Sequence, residues 1–164
     1  MRDNIIRAVK MLVLVAVQAF LLNNMNLFGY ATPYLYIYLI LCMEVDESPN
    51  KAMLWAFAMG LLVDIFSDTP GINAASSVML AFVRPVVLRL YVSRESLEHG
   101  SPSLRTTGVG AFIKYAATAV LLHHTMLVLL CYFDMGNAVD IVLRIVASSA
   151  FTLALVLMIE NIRK

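Results

Sequence analysis

The stretch AMLWAFAMGLLVDIFSDTPGINAASSVML, residues 52–80, decides how this chain is read. Residues 52–63 hold no charged or amide side chain. Asp64 then appears, the turn SDTPG follows at once, and a second apolar run opens on small residues. A carboxylate at the tip of one run, a Pro-Gly turn, and a second run make a helical hairpin whose arms are too apolar for water.

The rest of the chain has the same character. Of its 164 residues, 61% are hydrophobic and 14% charged, whereas soluble domains run at about 45–50% and about 25%. A soluble fold of this size cannot hide that much apolar surface, which implies an integral membrane protein. Six apolar segments are present, at 5–22, 27–43, 52–66, 72–92, 108–133 and 141–159. A spanning helix needs about 20 residues, with a range of about 17–25. Four segments fit, 108–133 is long enough to tilt or protrude, and 52–66 is short. None alternates as a membrane barrel strand must. The expectation is an all-α membrane protein, a single domain over 1–164 with six transmembrane helices. Connections such as DESPN, SDTPG and DMGNAVD carry turn residues. The first run follows basic residues as a signal peptide does, but NNMNLFG after it lacks a small-residue cleavage site, so it reads as the first span. Cys42 and Cys131 fit no metal-ligand spacing and read as small buried hydrophobes.

Charge sets the orientation. With the N-terminus inside, the inner regions hold Arg2, Arg7, Lys10, Lys51, Arg89, Arg94, Arg105, Arg163 and Lys164, and the outer loops hold no Lys or Arg. Short cytoplasmic loops are rich in Lys and Arg, so both termini are expected in the cytoplasm. That places Cys42 and Cys131 at opposite faces.

Charges within the spans face protein or water and usually pair. Asp64 is expected near the outer face, either capping the next helix with Ser67, Asp68 and Thr69 nearby, or pairing with Arg144, or binding a partner. Asp140 also stands one turn from Arg144. Arg84-Pro85 reads as a kinked helix whose cation satisfies freed carbonyls, with Glu44 as a candidate partner. Lys114 is placed to snorkel. His123 and His124 point about 100° apart on a helix and read as interhelical hydrogen-bonding groups rather than metal ligands. Tyr34, Tyr36 and Tyr38 suggest an interfacial belt, or a stacking surface for a ring-shaped ligand. Gly60, Gly71 and the Ala-Ala-Ser-Ser run let backbones approach closely. No nucleophile with a base, phosphate loop or carboxylate pair is recognisable. The expectation is a non-enzyme with no cofactor, no metal and no nucleic-acid partner.

At this hairpin the chain resembles the rod shape-determining MreD family. The matching residues are Gly60-Leu-Leu-Val-Asp64, a short turn, Gly71-Ile-Asn73-Ala-Ala, and Arg84-Pro85 in the same helix; NLFGYATPYLYIYL, residues 26–39, also looks like that family's second segment. The resemblance implies a bacterial inner-membrane, multi-pass scaffold of the cell-elongation machinery. It would bind MreC and connect it with MreB and the peptidoglycan synthases, in a fold similar to the substrate-binding component of energy-coupling-factor transporters. Gly60, Asp64, Gly71, Asn73, Arg84, Pro85 and Arg144 are the candidate partner-binding or structural residues. The alternative is a vitamin-binding transporter subunit. Such subunits present an AxxxA-type face on the first helix, and Ala8, Ala16 and Ala19 lack that spacing. The loop 93–107 is a linker or a docking site for a cytoplasmic partner.

Overall fold

The computed structural model describes residues 2–23, 25, 31–92, 100–132 and 137–163. Its helices are α1 (Arg2–Val17), α2 (Tyr38–Leu41), α3 (Pro49–Ser67), α4 (Ile72–Tyr91), α5 (Val109–Cys131) and α6 (Ala138–Ile162). A π-helical turn, Gln18–Leu22, continues α1, and a 3-10 turn, Leu35–Ile37, leads into α2. Five helices are long and apolar enough to cross a membrane: Arg2–Leu22, α3, α4, α5 and α6. The surface that many of them present is apolar, with Leu54, Ile65, Phe82, Leu90 and Val139 each more than 60% exposed. Lipid, not water, suits such a surface.

The expected short third span is longer than its hydropathy suggests. Pro49 opens α3 at a position where its missing N–H is harmless, and the helix reaches 19 residues. That is about 28 Å, close to the hydrocarbon thickness. Consecutive helices α3, α4, α5 and α6 pack against one another in chain order.

The expected second span, 27–43, is not a continuous helix. Residues 26–30 lie outside the described part; 32–34 have no regular structure, and only the turn Leu35–Ile37 and four-residue α2 are helical. Yet this segment runs the length of the bundle. Arg7 of α1 pairs with Glu47 just before α3, and Asn23 beyond α1 donates to Ser67 at the far end of α3 at 2.7 Å. The two helices are therefore parallel, and the chain between them must return from one end to the other. It does so through the centre: Tyr36, Ile37, Ile40 and Leu41 are fully buried.

Irregular backbone at membrane depth is tolerated only where protein satisfies it. Here the surrounding helices do so. Gln18 donates to the Pro33 carbonyl and accepts from the Leu35 N–H, at 3.0 and 2.8 Å. Ser148 and Thr152 of α6 accept from the Thr32 and Tyr34 N–H groups at 3.1 and 3.0 Å. Tyr115 of α5 donates to the Leu41 carbonyl at 2.9 Å. The π turn brings Gln18 inward, where it is fully buried.

Both described chain ends, residues 43–48 and residues 100–107 share one end of the bundle. Val45 N–H donates to the Gly100 carbonyl at 3.1 Å, and Arg163 donates to Ser101 at 3.4 Å. Arg7 also lies over the Trp55 ring, 5.9 Å from its centroid. Burial works to raise the Glu47 carboxyl, but hydrogen bonds from Lys51 and Arg7 prevail and hold it below its ordinary range.

Candidate functional site

The hairpin end of the bundle is built on Asp64. Its Oδ1 accepts from the Thr69 hydroxyl at 2.9 Å and from the Asn73 backbone and side-chain amides at 2.9 and 3.0 Å. Its Oδ2 accepts from the Ala74 N–H at 2.9 Å. Asn73 and Ala74 are the second and third residues of α4. Asp64 thus caps α4 from the preceding helix, a role normally filled by the residue at the helix start. Gly71 occupies that start with φ +83°, and Asp68 reverses the chain at φ +53°. Gly60 completes the arrangement. A Cβ there would lie 2.5 Å from the Ala74 Cα and 2.6 Å from the Asn73 carbonyl oxygen. Only glycine lets α3 and α4 come close enough for Asp64 to reach the N–H groups.

A buried hydrogen-bonded column leads inward from this cap. The carboxylate only accepts, so Asn73 turns its amide NH2 toward Asp64 and its Oδ1 toward Tyr36. The Tyr36 hydroxyl donates to that oxygen at 3.0 Å and accepts from His123 Nε2 at 3.0 Å. His123 therefore carries its proton on Nε2, and its buried Nδ1 has no partner among the described residues. His124 is the opposite tautomer. Its Nδ1 faces the Val120 carbonyl at 2.9 Å and must donate, so its Nε2 accepts from Thr152 at 3.1 Å. Thr152 in turn accepts from the Tyr34 N–H. The expected interhelical role of both histidines is what the structure shows, and no set of three or more metal-ligating side chains occurs among the described residues.

Arg84 belongs to a separate cluster toward the terminal end. Buried to 3% exposure, it donates to the Met43 and Glu44 carbonyls and to the Tyr115 hydroxyl. It satisfies carbonyls as expected, but those of the crossing segment rather than of its own helix. Its tie to Glu44 runs through the backbone, because that side chain is exposed. Pro85 sits inside α4 without ending it.

Several expectations need correcting. Arg144 lies over the Tyr132 ring, 4.9 Å from its centroid, while the hydrogen bonds of the Asp64 carboxylate stay within its hairpin. Tyr36 is wholly interior rather than part of a belt, since its hydroxyl is needed by Asn73 and His123. Tyr38 donates to buried Glu160 at 2.6 Å. Cys131 is exposed and Cys42 half-buried, both as free thiols. Lys114 is exposed, as a snorkelling residue should be. Arg94, Glu95, Glu98 and His99 of the proposed docking loop, and Asp134, lie outside the described residues.

Gln18, Tyr115, Ser148, Thr152 and Glu160 were not singled out by sequence reading. Gln18 had a visible signal as the one amide inside the first apolar run, and Ser148 and Thr152 as an i, i+4 hydroxyl pair in the last. Compared with family models, curated proteins and solved structures, the chain matches none.

Proposed function

We propose that this protein is a non-catalytic scaffold of the bacterial cell-elongation machinery, a multi-pass protein of the inner membrane with six crossings and cytoplasmic termini. Its partners on this reading are MreC, and through it MreB and the peptidoglycan synthases. The observation that carries the reading is the hairpin itself. The residues on which the MreD resemblance rests, Gly60, Asp64, Gly71 and Asn73, form one mutually dependent cap, and Arg84 pins the crossing segment to α4. Polar groups in the interior go to holding an irregular chain in place, which suits a frame more than a reaction centre. The outer helices supply contact surface: 17% of the most apolar window of α6 and 22% of that of Arg2–Leu22 are buried, against 44% for α4 and α5. Basic residues gathered at the terminal end support cytoplasmic termini.

Affinity capture of the tagged chain from the membranes of its own cells, followed by mass-spectrometric identification, tests this. The expected companion is a single-span MreC-type protein, with capture reduced in Asp64→Ala although the variant still inserts. Capture of transporter ATPases in its place would reject the scaffold reading.

One observation favours the transporter reading. A crevice of about 370 Å³ opens at the hairpin end, lined by Asn23, Thr32, Tyr34, Thr69 and Asn73. Asn23, Thr69 and Asn73 are already engaged within the protein, which keeps this reading second. A small molecule retained in native mass spectra of the purified chain would promote it.

A further inference from the structure

α1 and α6 stand on either side of the crossing segment and leave a groove of about 530 Å³ between them. Val13 and Leu14 form one wall, Ile159 and Ile162 the other, and Leu39 and Cys42 the floor. Its lining is apolar except at the terminal end, where Lys10 and Arg163 face it, and no acidic residue is among its lining. Lys10 is exposed and has no partner among the described residues. Arg163 is held loosely, 3.8 Å from Glu160 and 3.4 Å from both the Tyr38 and Ser101 hydroxyls. Glu160 itself is occupied by the Tyr38 hydroxyl. Asp3, Glu44 and Asp46 line an adjoining polar opening that Lys10 and Arg163 also border, and none of the three acids lines the groove itself.

We infer that this groove holds one anionic phospholipid of the leaflet at the terminal end, an acyl chain lying along Val13 and Leu14 and the phosphate bridging Lys10 and Arg163. Charge selects the headgroup, because an apolar channel ending in two cations at membrane-surface depth favours a net negative lipid over a zwitterionic one. Each Lys or Arg near an anionic surface strengthens attraction by about five-fold. The inference rests on the membrane placement of the helices and is independent of the scaffold function.

The test is native mass spectrometry of the full chain, stripped of lipid in non-ionic detergent and offered phosphatidylglycerol or phosphatidylcholine. The wild type is expected to retain one phosphatidylglycerol in preference to phosphatidylcholine by more than ten-fold. Lys10→Gln and Arg163→Gln should each cut that preference about five-fold, and Arg89→Gln, an exposed cation of the same end outside the groove, should not. Val13→Trp, which fills the channel without touching either cation, should lose both lipids. Equal retention of the two lipids, equal effects of Arg89→Gln and Lys10→Gln, or unaltered binding by Val13→Trp would each overturn the proposal.

Discussion

Gly60 and Asp64 show how one position in a membrane hairpin depends on another. The glycine sets the separation of α3 and α4, and that separation brings the carboxylate within 2.9 Å of two backbone N–H groups of α4. With the glycine replaced by alanine, either the helices part or the backbone shifts, and over-packing of this kind costs about 1–3 kcal/mol. Gly110, which has no neighbouring atom within 4 Å of a built Cβ, is the matched control. Unfolding in detergent should show Gly60→Ala lowered in stability by about that amount and Gly110→Ala unchanged. Asp64→Asn keeps the shape of the cap but turns one acceptor into a donor facing an N–H group. Leaving a buried group unpaired costs about 1–3 kcal/mol. The double variant Gly60→Ala/Asp64→Asn should lose less than the two singles together, since both act on the same contact. Full additivity would mean that the glycine and the cap are independent.

At the scale of elements, the crossing segment explains what the sequence could and could not reveal. Its apolarity was legible, and the segment is buried among the helices. Its conformation was not, because hydropathy does not distinguish a helix facing lipid from an irregular chain enclosed by other helices. Although residues 35–41 close into short helical turns, Pro33 and the Thr32 it holds extended pointed away from a helix at 32–34. They were outweighed by the requirement that backbone in lipid be hydrogen-bonded, which holds only for a segment exposed to lipid. The hairpin was more readable. Asp64 as a cap, Gly60 as a contact point and the turn at 67–71 each follow from local chemistry, whereas the destinations of Arg84 and Arg144 depend on which elements lie opposite, and pattern alone does not give that. The same reasoning assigns Gln18 its weight. Gln18→Leu would keep the volume and remove both the donor to Pro33 and the acceptor for Leu35. Two buried backbone groups lose their partners, so the expected loss is about 2–4 kcal/mol. Gln18→Glu, which keeps the acceptor for Leu35 but not the donor for Pro33, should fall between the two. If Gln18→Leu unfolds at the same denaturant concentration as the wild type, the segment is held by packing and not by the π turn.

For the whole molecule, the decisive quantity is the number of crossings. Five helices alone would put the chain's two ends on opposite sides of a membrane. The parallel course of α1 and α3 makes the buried segment between them run from one end of the bundle to the other, which returns the two described chain ends to one end of the bundle. Lysine and arginine are concentrated at that end, and the described loops at the other contain none. Accessibility in intact cells separates the arrangements. In a background with Cys42 and Cys131 replaced by alanine, a cysteine placed by Met25→Cys lies at the hairpin end and one placed by Asp46→Cys at the terminal end, on either side of the buried segment. A membrane-impermeant maleimide should label Met25→Cys in whole cells and reach Asp46→Cys only after lysis. Labelling of both in intact cells would mean that the segment does not cross, and labelling of Asp46→Cys alone would invert the orientation. The measurement decides between five crossings and the proposed six, whose structural support is two contacts, Arg7 with Glu47 and Asn23 with Ser67, at opposite ends of the same helix.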